Sequence, residues 1–120
     1  MEISELIHKA HENAYSKGFW SQELAVVSKM KAYDNLFSSE EVNGVINAFR
    51  SQRLMLIVSE LTEALEALRK SDWPNYKEEL ADVMIRMGDL AGGEDIRLEK
   101  EITNKMHQNE QRPYLHGKEF

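Results

Sequence analysis

The chain reads as an all-α protein: a four-helix-type bundle, one domain spanning residues 1–120. Three observations predict this. Apolar residues recur at helical spacing along most of the chain, with no sustained two-residue alternation of β-branched residues to mark a strand. Proline and glycine are scarce, 2 and 6 of 120 residues, and several stand where a helical pattern stops. Apolar residues make up 42% of the chain, enough for a core, although a chain this short gains from a subunit interface.

The elements follow in order. Ile3, Leu6, Ile7, Ala10 and Ala14 share one side of a first helix, Ile3 to Ser16, which Lys17-Gly18 ends. Residues 21–37 hold at most a short helix, before a loop around Asp34–Ser38. Ser38 with Glu41 three residues later forms a capping box, opening a long helix that reaches about Lys70, with Asn43-Gly44 its weakest point. Residues 71–76, SDWPNY, are a connector in which Trp73 is an anchor. Asn75 with Glu78 reads as the next cap, and Gly92-Gly93 as that helix's end. A last helix covers about Glu94 to Gln111, Pro113 stops it, and residues 112–120 form a tail that packs across a neighbouring subunit.

Composition narrows the function. Acids outnumber Lys and Arg, 21 to 15, for a net charge of −6, which argues against duplex nucleic acid as a partner. No apolar run approaches the roughly 18 residues of a membrane span. The polar, acidic start is wrong for a signal peptide, and without cysteine there is neither a disulfide framework nor a thiolate metal site. A cytoplasmic protein is expected.

Two acidic signatures stand out, Glu60-x-x-Glu63 and Glu79-x-x-Asp82. Spacing alone is weak evidence. Random placement of 21 acids in 120 positions gives roughly four such pairs, and four occur, Glu2/Glu5 and Glu63/Glu66 being the others. Their position on the helical wheel says more. Leu54, Ile57, Val58, Leu61, Leu65 and Leu68 make the core face of the long helix, while Leu56, Glu60, Glu63 and Ala67 share a second stripe. On the next helix Leu80, Val83, Met84, Met87 and Ala91 make the core face, and Glu79, Asp82, Arg86 and Asp89 a lateral stripe. Antiparallel packing brings the two lateral stripes together. Converging carboxylates repel one another unless a counter-charge sits among them. Arg86 offsets part of this. An all-oxygen site suits Mg²⁺, or Mn²⁺, and no His stands three residues from these acids as a di-iron site requires. Such a site points to phosphoanhydride hydrolysis.

These residues resemble the MazG-like all-α nucleoside triphosphate pyrophosphohydrolases, marked by E-x-x-E, a spacer and E-x-x-D. Here the motifs are Glu60-Leu-Thr-Glu63 and Glu79-Leu-Ala-Asp82, with 15 residues between them. The surrounding LIVSELTEALEALRK (56–70), KEELADVMIRMGDLAG (77–92) and KMHQNEQRPYLHGKEF (105–120) are similar too, and Lys17-Gly18-Phe19-Trp20 more weakly so. The resemblance covers roughly the last 65 residues and leaves 21–50 without a counterpart. It implies hydrolysis of an NTP or dNTP to the monophosphate and pyrophosphate, with Glu60, Glu63, Glu79 and Asp82 as Mg²⁺ ligands and catalytic groups, in a homodimer or homotetramer whose subunits complete the bundle. It also places Asn109, within Lys105-Met-x-x-Asn109, against the site.

Lys105, Asn109 and Arg112 lie on one side of the last helix and suit a triphosphate. Phe19 and Trp20 either stack on a base or plug the core. His8 and His11 are expected at the surface, Glu66 in solvent, and Asp89 paired with Arg86. Two other readings use the same residues: a non-catalytic interaction module with an acidic stripe, and a nucleotide sensor that keeps the metal site without turnover.

Overall fold

The computed structural model describes residues 1–33 and 36–120, so the loop expected around Asp34–Ser38 lies partly outside the described residues. Five α-helices follow one another, with no strand among the described residues: α1 (Ile3–Ser16), α2 (Ser21–Ala32), α3 (Ser39–Arg69), α4 (Trp73–Gly93) and α5 (Leu98–Glu110). A 3₁₀ turn spans Tyr114–Gly117. α4 is the hub and packs on both α1 and α3; α2 rests on α3, and α5 mainly on α1.

Local chemistry accounts for the boundaries. The Ser38 hydroxyl accepts from the Glu41 amide at 3.1 Å while the Glu41 carboxylate accepts from the Ser38 amide at 3.0 Å, the full capping box. α3 then runs straight through Gly44 for 31 residues, because packing further along outweighs one poor helix former. α1 ends where Gly18 enters the left-handed region (φ 87°), with the Phe19 amide bonded back to the Ala14 carbonyl. α3 and α4 end in the same way without glycine. Ser71 (φ 56°) and Asp95 (φ 55°) take the left-handed position, and the amides of Asp72 and Ile96 reach the carbonyls of Ala67 and Ala91 at 2.8 Å each.

Two expected boundaries move. α4 begins at Trp73 rather than after Asn75. The cap is Asp72, whose carboxylate accepts from the Asn75 amide at 3.2 Å, and Pro74 sits in the first turn, where its missing N–H costs nothing. Trp73 then stacks on Tyr76, ring centres 4.9 Å apart. α5 begins at Leu98 rather than Glu94, since residues 94–96 are used in closing α4.

α4 ends at Gly93, as expected, and Gly92 and Gly93 also serve packing. A Cβ on Gly92 would stand 2.5 Å from that of His11, and one on Gly93 2.0 Å from the Trp20 ring. Gly88 likewise admits Leu6 and Ala10. Glycine here lets α1 and the Trp20 indole approach α4's backbone.

The core face expected on α3 is buried only at Ile57. Ile57, Ala64 and Ala67 are buried, whereas Leu54, Val58, Leu61, Leu65 and Leu68 stay between 46% and 54% exposed. Leu80 and Met84 of α4 are exposed as well. Small side chains on the lateral stripe allow close approach of α4, and that contact leaves the leucine face outside it. The dimensions agree. The chain measures 53 × 36 × 29 Å with a radius of gyration of 18.1 Å, against roughly 14 Å for a compact domain of this length.

Candidate functional site

The α3–α4 contact carries the acids inward. Glu60 on α3 and Glu79 and Asp82 on α4 each bring a carboxylate oxygen within 4.8 Å of the others. Glu63 falls outside that group but stands close enough for its charge to act on Glu79. Glu79 is buried, 8% exposed, and its Oε2 has no hydrogen-bond partner among the described residues. A buried polar atom without a partner is rare and calls for an explanation.

The four acids are not equivalent. Arg86, one turn along α4 from Asp82, donates from Nε to Glu60 Oε1 at 2.8 Å. That bond holds the Glu60 carboxyl below its ordinary range, against the opposing effect of burial. The hydrogen bond that Glu79 donates to the Glu60 carboxylate, burial and the Glu63 charge push Glu79 the other way, up to about 7. Glu60 and Glu79 thus share a proton at mildly acidic pH, Glu79 holding it. The donor set is entirely carboxylate oxygen, which fits a hard divalent cation, and Oε2 supplies a ligand atom with no hydrogen bond among the described residues. Glu60, Glu79 and Asp82 would hold such an ion, with Glu63 beside them.

Asp89 does not extend this cluster, nor does it pair with Arg86. Its Oδ1 accepts from Trp20 Nε1 at 2.7 Å and faces His11 Nδ1 at 3.0 Å. Trp20 is therefore an internal anchor, 6% exposed, with the Arg53 guanidinium 3.5 Å from its ring centre and His11 edge-on to it. Arg53 in turn bonds Glu23 at 3.0 Å with both side chains largely covered. Phe19, beside it in sequence, is 70% exposed. His11 belongs to this half-buried network rather than the surface, whereas His8 is exposed and pairs with Glu12. The sequence held a signal for His11, which follows Ile7 by four and precedes Ala14 by three, on the apolar side of α1. Nothing comparable pointed to Arg53 or Glu23.

Lys105, Asn109 and Arg112 sit on or just beyond α5, which packs mainly on α1 and not chiefly on the acid-bearing pair. Lys105 and Arg112 are exposed; Asn109 is half-buried, and its Oδ1 is buried with no partner. Glu66 faces solvent and meets Arg69 at 3.2 Å. No helix of the described residues is long and apolar enough to cross a membrane.

Comparison with models of known protein families, with curated proteins and with solved structures finds no match. The functional reading therefore rests on the residues themselves.

Proposed function

We propose that this chain is a Mg²⁺-dependent pyrophosphohydrolase that converts a nucleoside or deoxynucleoside triphosphate to its monophosphate and pyrophosphate, clearing nucleotides from the cytoplasmic pool. One observation carries the reading: three carboxylates from two adjacent helices meet within 4.8 Å, one of them buried with an oxygen that has no hydrogen-bond partner among the described residues. An interaction surface has no need to bury an acid in this way.

Glu60, Glu63, Glu79 and Asp82 hold the ion, as the motif resemblance implies. Bound Mg²⁺, or Mn²⁺, supplies charge neutralisation for the phosphates and acidifies a water molecule. Arg86 fixes Glu60 in the orientation that faces Glu79. Water adds across the α–β phosphoanhydride. Its oxygen bonds to the α-phosphorus, one of the four carboxylates accepts its proton, and the bond from that phosphorus to the bridging oxygen breaks, so that pyrophosphate departs with that oxygen.

The half-exposed leucine stripe of α3 supports a homodimer or homotetramer, since so much apolar surface on one helix marks an interface. A second copy seated there brings further groups to the acids, with Lys105, Asn109 and Arg112 as the triphosphate contacts.

The test is a panel of NTPs and dNTPs with Mg²⁺, assayed for pyrophosphate. Release that disappears in Asp82→Asn supports the proposal. Orthophosphate in place of pyrophosphate refutes the bond assignment. Nucleotide binding without product favours a sensor, and no binding at all favours an interaction module.

A further inference from the structure

A small cleft of about 130 Å³ opens next to the acid cluster, between the start of α2, α3 and α4. Whole-ligand pockets run from about 300 Å³ upward, so this recess accommodates one planar ring system rather than a nucleotide. Phe19, Phe49 and Leu56 line it as apolar walls, and Gln22, Gln52, Arg53, Arg86 and Asp89 contribute its polar groups, with Arg53 held by Glu23 and the Trp20 ring and Arg86 by Glu60. Arg86 is the residue that bonds Glu60, so a ring held here lies beside the metal-binding acids. Aromatic walls with amide and carboxylate groups are the means by which proteins hold a base and read its edge.

We propose that this cleft is the base subsite of the enzyme described above, and that Asp89 makes it select bases carrying an exocyclic amino group over those with a carbonyl in that place. The inference rests on the pyrophosphohydrolase reading for the fate of the nucleotide, but not for its binding. Gln22 and Gln52 each offer both a donor and an acceptor, so they fit either kind of base by turning over. Asp89 cannot turn over in this sense, because a carboxylate only accepts. Its Oδ1 is committed to Trp20 and His11, and that double bond pattern fixes the group's orientation. Oδ2 remains as the acceptor for the cleft. An amino group on cytosine or adenine donates to it. The carbonyl of uracil or hypoxanthine at the same position presents a second acceptor, which repels it. Sites built to hydrogen-bond one group discriminate strongly against an analogue that lacks it.

The experiment is calorimetric titration of dCMP against dUMP, and of dAMP against dIMP, in Mg²⁺ buffer. Each pair differs by amino against carbonyl. The amino member should bind at least about ten-fold more tightly in both pairs. Asp89→Asn keeps an oxygen for Trp20 and His11 and turns an amide donor to the cleft, so the preference should reverse. Should that variant unfold, Phe49→Ala serves instead: it should weaken both members of a pair alike and leave their ratio unchanged. Equal binding of amino and carbonyl members by the parent protein overturns the proposal, as does a Phe49→Ala variant that binds every nucleotide as the parent does. No turnover is read, so selective binding without pyrophosphate release would sink the hydrolase reading alone.

Discussion

Arg86 Nε stands 2.8 Å from Glu60 Oε1, so α4 carries both the cation that ionises one acid of the cluster and the buried acid, Glu79, that keeps a proton beside it. The pair is poised: charge is settled on Glu60, and Glu79 must give up its proton before all the acids can face an ion. Arg86→Gln removes the contact that lowers Glu60. The pH at which Mg²⁺ binding is half-complete should then rise, since metal binding competes with protons for the same oxygens. Calorimetric Mg²⁺ titrations across pH would show it; an unchanged midpoint would mean that Arg86 does not govern the cluster.

Glu79 also gives stability a distinctive pH dependence. Its folded-state pKa, about 7, lies above the ordinary 4.5. Between those values the folded chain holds a proton that the unfolded chain has lost. The contribution is therefore fully present below about 4.5 and is lost as pH rises through about 7. Glu60, shifted down, works in the opposite sense, stabilising above its ordinary pKa and losing that effect as acid is added. With EDTA present, the melting temperature should decline over the upper window, and Glu79→Gln should flatten the decline. A parent protein whose stability climbs with pH there would contradict the assignment.

Substitutions can separate cluster members from bystanders. Asp82→Asn should lower Mg²⁺ affinity by about ten-fold or more, since a charged oxygen ligand is lost from an all-carboxylate site. Glu66→Gln should leave it unchanged, although Glu66 also lies three residues from another glutamate, because its side chain points to Arg69. Equal losses in the two variants would mean that bulk negative charge, not coordination, attracts the ion.

Two glycines should respond with opposite signs. A Cβ on Gly44 meets nothing within 4 Å, so Gly44→Ala should stabilise α3 by about 0.5–1 kcal/mol. Gly93→Ala drives a methyl into the Trp20 ring and should cost about 1–3 kcal/mol. Urea denaturation of both variants measures the contrast.

The sequence carried the helices and the convergence of Glu60, Glu79 and Asp82 well, and the burial of the helices poorly. Helical period, a capping box at Ser38/Glu41 and the Gly18 stop are local signals, so α1 and α3 fall where those signals put them. Asn75 was misplaced as a cap because Asp72 offers the same chemistry three residues earlier and Pro74 favours the earlier start. Leu54, Ile57, Val58, Leu61, Leu65 and Leu68 read as core because they are the most apolar stripe, yet of these only Ile57 is buried, beside the small Ala64 and Ala67. Hydrophobicity ranks faces without saying which partner is in the same chain. The link from Asp89 to Trp20 and His11 spans 69 and 78 residues, and no local pattern encodes a contact at that separation.

Only residues 70–72 lie between α3 and α4, and both halves of the acid cluster sit on that hairpin. Closing so short a loop sacrifices little chain entropy, and local contacts form early on folding timescales. The carboxylates should therefore meet before α1 arrives to dock on Gly88 and Gly92. Refolding in the presence of Mg²⁺ should then speed up, because the ion would reward an encounter made ahead of the rest of the core.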